Sequence, residues 1–99
     1  MLVGGLQSGM PYVYLLRCGD GTLYAGAAKD LARRLAEHRA GLASRYTRGR
    51  LPVELVWWLQ VESWGDALRA EIRLKRLPRA GKDELLRAGL PEPCDAPPG

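Results

Sequence analysis

Tyr12–His38, YVYLLRCGDGTLYAGAAKDLARRLAEH, carries strand, turn and helix signals in close succession, and the rest of the architecture can be inferred from it. Tyr12-Val13-Tyr14-Leu15-Leu16 is rich in β-formers and runs out at Arg17-Cys18. Gly19-Asp20-Gly21-Thr22 comes next with Asp-Gly turn chemistry, in which glycine accepts a positive φ. Leu23–Ala27 resumes as a second strand, so the two runs predict a β-hairpin. Gly26 sits near the end of that strand, where a missing Cβ lets a backbone or a phosphate approach closely, or simply eases the turn from strand to helix. From Asp30 the period changes. Leu31, Leu35 and His38 recur at helical spacing, Ala32 and Ala36 favour a helix, Asp30 is placed to cap its start and Gly41 to stop it. Arg34 and His38, four apart, share a face that borders the Leu31–Leu35 stripe and is directed toward the edge of the sheet.

Beyond this segment, residues 41–52 read as a loop. With the preceding helix it carries seven cations, Lys29, Arg33, Arg34, Arg39, Arg45, Arg48 and Arg50, against Asp30 and Glu37. Val53–Val61, VELVWWLQV, predicts a third strand with Trp57 and Trp58 on opposite faces. Ser63-x-x-Asp66 resembles a capping box and opens a helix to about Leu77, with Leu68, Ile72, Leu74 and Leu77 as its apolar side and Pro78 as its end. A short helix over 80–88 should bury Leu85 and Leu86. The expected fold class is small α/β, a three-stranded antiparallel sheet flanked by helices. Residues 1–9 read as a flexible lead, 10–88 as one domain, and 89–99 (GLPEPCDAPPG) as a disordered proline-rich tail.

The whole chain narrows the function classes. It has 99 residues, a net charge of +4 and a pI near 9.4, a balance that favours polyanionic partners without requiring one. No apolar run approaches the ~18–20 residues of a membrane span, and the opening residues lack the basic and apolar parts of a signal peptide. The expectation is a cytoplasmic protein without a membrane partner. Cys18 and Cys94 are the two cysteines. Without a CxxC pair or a Cys/His cluster they do not suggest a zinc site or a structural disulfide.

The ordered residues resemble the GIY-YIG nuclease family, in particular its small stand-alone single-domain members of UPF0213 type. YVY at Tyr12–Tyr14 stands where the family has GIY, and YAG at Tyr24–Gly26 stands where it has YIG. Arg34, His38 and Glu71 come in the family's order, and the likeness runs over about residues 11–88. Two motif positions depart, Tyr12 for Gly and Ala25 for the central Ile. The chain also holds no Asn, a residue that many family enzymes carry after the glutamate-bearing helix; Lys75 and Lys82 occupy that region.

The resemblance implies the GIY-YIG nuclease fold and a metal-dependent endonuclease that hydrolyses DNA phosphodiester bonds. Tyr14, Tyr24, Arg34, His38 and Glu71 would form the site, and Glu71 would hold Mg²⁺ or Mn²⁺. A lone carboxylate suffices for Mg²⁺, which keeps several waters, and a guanidinium grips phosphate as a bidentate fork. A tyrosine would bind or deprotonate the attacking water, a role in which a phenol near pKa 10 needs help, and His38 would be a second base or a phosphate contact. Lys29, Arg33, Arg45, Arg48, Arg50, Lys75 and Lys82 are candidate phosphate contacts, as is Arg79. Tyr46 either stacks on an unpaired base or caps the sheet. The chain has no room for a separate recognition domain, so the expectation is selection by nucleic-acid shape (branches, flaps, single strands) or by a repair or recombination protein as partner. The alternative is a non-catalytic nucleic-acid-binding module that retains the fold.

Overall fold

The computed structural model describes residues 10–88. The expectations for residues 1–9 and 89–99, Cys94 included, lie outside the described residues. Strands β1 (Tyr12–Arg17) and β2 (Leu23–Ala28) form the hairpin, followed by α1 (Leu31–Arg39) and a one-turn helix α2 (Arg45–Arg48). Then come β3 (Glu54–Gln60), α3 (Trp64–Arg76) and α4 (Arg79–Ala88). β1 is the central strand of the antiparallel sheet, in the order β2-β1-β3. Asp30 and Ser63 cap α1 and α3 through their side-chain oxygens, as their sequence positions suggest. Among the described residues no helix is long and apolar enough to cross a membrane.

The sheet has a core on each face. On one, Tyr14, Leu16 and Trp58 pack with Leu31 and Leu35 of α1. On the other, Val13, Leu15 and Trp57 pack with Leu74 of α3 and the half-buried Leu85 and Leu86 of α4. The two tryptophans thus serve opposite layers. A bulge makes this arrangement work: Leu15 faces Trp57, but Leu16 faces Leu55, so Val56 is the extra residue on β3. Leu55 and Trp58, three apart, consequently share the α1 face.

Three expectations are corrected. The loop 41–52 contains α2, because the Ser44 side chain accepts the Thr47 N–H and starts a turn. On α3 the buried side is Ala67 and Leu74 with the partly buried Ala70 and Leu77, spaced by three and four. Leu68 and Ile72 lie round the helix and are exposed, because the small alanines let α3 approach β1 and β2 closely. Leu85 and Leu86 are half-buried, since the main contact of α4 with the sheet is at the edge strand β3.

The hairpin turn is tied down from both sides. Gly19 N–H donates to the Arg50 carbonyl at 2.6 Å, and Arg50 Nε meets Asp20 Oδ2 at 3.0 Å. From the other side, Arg79 donates to the Gly21 carbonyl. These ties lock the loop bearing α2 against the sheet.

Candidate functional site

Tyr14 and Gly26 are directly paired across β1 and β2. A Cβ on Gly26 would lie 2.5 Å from both Cζ and the hydroxyl of Tyr14. The space above this glycine is therefore filled by the Tyr14 ring, not left for a phosphate. Lying across β2, the ring delivers its hydroxyl to α1, where it meets His38 Nε2 at 2.9 Å.

His38 is 1% exposed, placed by the helical spacing it shares with Leu31 and Leu35. Its Nδ1 meets Thr47 Oγ1 at 2.9 Å, and Thr47, fully buried, reaches back to the Ser44 carbonyl at 3.4 Å. The Tyr14 and Tyr24 rings flank the imidazole edge-on, with centroids 5.8 and 5.3 Å away. Tyr24 then stacks on Tyr46 at 5.7 Å, and the Arg50 guanidinium lies 3.9 Å from the Tyr46 centroid. Of the two roles open to Tyr46, these contacts are those of the sheet cap.

Burial sets the protonation of the central pair. It lowers the His38 pKa from 6.5 to about 4, with Arg34 pushing the same way and Glu37 partly offsetting it. His38 is thus a neutral imidazole at pH 7, not a cation paired with the helix end. Burial also raises the Tyr14 pKa well above 10, helped by Tyr24 and more weakly by Glu71 and Glu37, while Arg34 opposes the rise. Tyr14 rests as a phenol.

Arg34 and Glu71 are the remaining candidates. The Arg34 side chain is 42% exposed and pairs with Glu37 at 3.5 Å, leaving much of its fork open to solvent. Glu71 comes from α3, which runs beside β2, and its carboxylate is close enough to act on Tyr14 electrostatically. Its partner is Lys75 Nζ at 3.5 Å. Among the described residues no three His, Cys, Asp or Glu side chains form a metal cage. Glu71 instead offers a single hard oxygen donor. That donor set fits Mg²⁺ or Mn²⁺, which retain water and accept phosphate oxygens, and not a closed zinc centre.

The basic candidates divide. Arg45 and Arg48 are exposed on α2, Arg33 is exposed beside Glu37, and Lys29 is exposed near Trp64. Arg50 is bound to Asp20, Lys75 to Glu71, and Arg79 to Asp83 and the Gly21 carbonyl. Lys82 Nζ donates to the Leu77 carbonyl and closes the α3–α4 corner. The latter four side chains therefore already have local work. Sequence reasoning passed over two residues, Thr47 and Trp64. Ser44-x-x-Thr47 is a capping pattern that could have drawn attention to Thr47; an isolated Trp at a helix start carries no such signal.

Comparison with known proteins identifies the family and the fold. The GIY-YIG catalytic domain profile matches residues 10–84. A UPF0213 protein of Halobacterium salinarum is 47% identical over 76 residues, covering 77% of this chain and 99% of its own length. A second, from Streptococcus pneumoniae, is 45% identical over 75 residues and 76% of each chain. The solution NMR structure of a UPF0213 protein from Bacillus halodurans is similar with a TM-score of 0.53 and 40% identity, covering 79% of this chain and 83% of that one. An E. faecalis protein solved by NMR gives a TM-score of 0.55 at 34% identity, covering 80% and 84%.

Proposed function

Because the chain belongs to the GIY-YIG family, and within it to the small single-domain UPF0213 group, we propose that it is a metal-dependent DNA endonuclease selective for nucleic-acid shape. The observation that carries this reading is the buried 2.9 Å hydrogen bond between Tyr14 and His38, with Arg34 beside it.

Each residue has its own part in the chemistry. Arg34 grips a non-bridging oxygen of the scissile phosphate, exchanging Glu37 for it. Bound at Glu71, a Mg²⁺ or Mn²⁺ ion would supply further positive charge to that phosphate. The Thr47 hydroxyl lies 3.4 Å from the Ser44 carbonyl and 3.3 Å from Ser44 Oγ, and donating to either leaves it free to accept from His38 Nδ1–H. Nε2 then carries the lone pair and accepts the Tyr14 proton. As water attacks phosphorus, its proton passes to the Tyr14 oxygen and the phenolic proton to Nε2, and the imidazolium so formed, disfavoured by its burial, gives that proton up to solvent. The P–O bond to the leaving sugar oxygen breaks, and solvent protonates that oxygen. This relay removes the need for a standing phenolate, which the raised Tyr14 pKa forbids. Tyr14 is 2% exposed, so the attacking water reaches its hydroxyl only by entering the buried site. Tyr24 forms the wall beside it. Repair or recombination is the setting that fits shape selection by so small a domain.

The test is cleavage of labelled branched, single-stranded and duplex DNA with Mg²⁺, Mn²⁺ or EDTA, using wild type, Arg34→Ala and Glu71→Ala. Metal-dependent cutting lost in both variants is expected. Cutting that survives in both would refute the site. Binding without cutting under any metal would transfer the assignment to a non-catalytic nucleic-acid module.

A further inference from the structure

Beside the candidate site, a cleft of about 330 Å³ opens along the start of α1, lined there by Lys29, Arg33, Arg34 and Glu37. Its far wall is Trp64, the first residue of α3. Trp64 is 37% exposed, whereas Trp57 and Trp58 are 7% and 5% exposed, and it belongs to neither hydrophobic cluster. The indole contributes little to the core, yet it presents an aromatic surface to solvent. Lys29 Nζ lies 5.3 Å from the indole centroid, so an ammonium and a stacking surface occur together. Lys29, Arg33 and Arg34 face Asp30 and Glu37 in this cleft, leaving one net positive charge. Asp30 is engaged in capping α1, and Glu37 spans the two arginines at 3.4 and 3.5 Å.

A purely apolar ligand would strand these cations, and a bare anion would leave the indole unused. A nucleotide uses both. We propose that the cleft is a base-stacking subsite that takes one unpaired nucleotide of a DNA strand next to the scissile phosphate. The base lies on Trp64, its phosphate is met by Lys29 and Arg33, and the adjoining phosphate reaches Arg34. This assignment rests on Arg34 being the phosphate ligand of the proposed nuclease site, and it names the substrate class: single-stranded or flapped DNA. Within an intact duplex each base is already stacked on its neighbours and is withheld from the indole. Stacking of this kind tolerates any base.

The test is intrinsic fluorescence and binding anisotropy with oligothymidylate and with a blunt duplex, in EDTA so that no cutting intervenes. Wild type, Trp64→Ala, Trp64→Phe and Lys29→Met are compared after circular dichroism confirms folding. Single-stranded DNA should quench wild-type emission, and the quench should vanish in Trp64→Ala, whose remaining tryptophans are buried. The ratio of single-strand to duplex affinity should fall about tenfold in Trp64→Ala and only about twofold in Trp64→Phe. Lys29→Met should lower the salt slope by about one phosphate contact. A quench that persists in Trp64→Ala, or an unchanged affinity ratio, would overturn the subsite and return Trp64 to the exposed stripe it forms with Leu68 and Ile72. The two readings fail separately. Cutting by wild type with an indifferent Trp64→Ala sinks the subsite alone; a Trp64-dependent quench without cutting under any metal sinks the nuclease alone.

Discussion

Acid should destabilise this domain through His38, and the size of the effect can be worked from the site. The imidazole titrates near 6.5 when unfolded and at about 4 when folded. Between those values the unfolded chain binds the proton and the folded chain does not, so stability falls as pH falls. Stability present above pH 6.5 is lost progressively toward pH 4. The full loss is about 3 kcal/mol, and about 2 kcal/mol is already gone by pH 5. For a domain of this size that corresponds to a Tm about 8–15 °C lower at pH 5 than at pH 7. Thermal unfolding followed by circular dichroism between pH 7.5 and 5 would measure it, with His38→Gln as the comparison. Glutamine does not titrate, and the carboxylates are common to both proteins, so the difference between their slopes isolates the imidazole. Asp20 and Asp66, whose hydrogen bonds to Thr22 and to Arg69 hold their carboxyls low, titrate beneath this window. Parallel Tm curves for the two proteins would refute the account of a buried neutral His38.

Three further outcomes test other parts of the structure. Gly26→Ala should cost about 1–3 kcal/mol and lower cleavage about a hundredfold, because its Cβ displaces the Tyr14 ring from His38; wild-type cutting by this variant would contradict the placement of Tyr14. Thr47→Val should cost about 1–3 kcal/mol by leaving His38 Nδ1 unpaired and should slow cleavage with little change in DNA affinity. Thr47→Ser should recover both properties, as read by Tm and single-turnover kinetics. Asp30→Ala should lower stability by about 1 kcal/mol through loss of the α1 cap, measurable by urea unfolding.

Much of the sheet and its helices was legible because local chemistry and tertiary structure agree there. The Asp-Gly turn, the β-rich run around Trp57-Trp58 and the capping residues Asp30 and Ser63 each specify the element that forms. Strict alternation along β3 would have placed Leu55 with Trp57, and the bulge at Val56 overrides it. The buried face of α3 was misread because Leu68 and Ile72 outrank Ala67 and Ala70 in hydrophobicity, whereas close approach to the sheet rewards small side chains. α2 was hidden because one turn is too short to show a period. The resemblance to the GIY-YIG family brought out Tyr14, Tyr24, Arg34, His38 and Glu71 as candidates, but not that His38 is buried between two hydroxyls, since its partner Thr47 arrives from a loop nine residues on.

The position of Glu71 in the chain bears on when the proposed activity could begin. Four of the five proposed site residues lie between Tyr14 and His38, while Glu71 comes roughly thirty residues later on α3. During synthesis the hairpin and α1 leave the ribosome first, already carrying the tyrosines, the arginine and the imidazole. They lack the one carboxylate of the group outside α1 until β3 has been added and α3 has come to lie beside β2. Under the proposed chemistry, a nascent or prematurely terminated chain can therefore hold phosphate without cutting it. On that reading the nucleic acids of the translating cell would be spared until the domain is nearly whole.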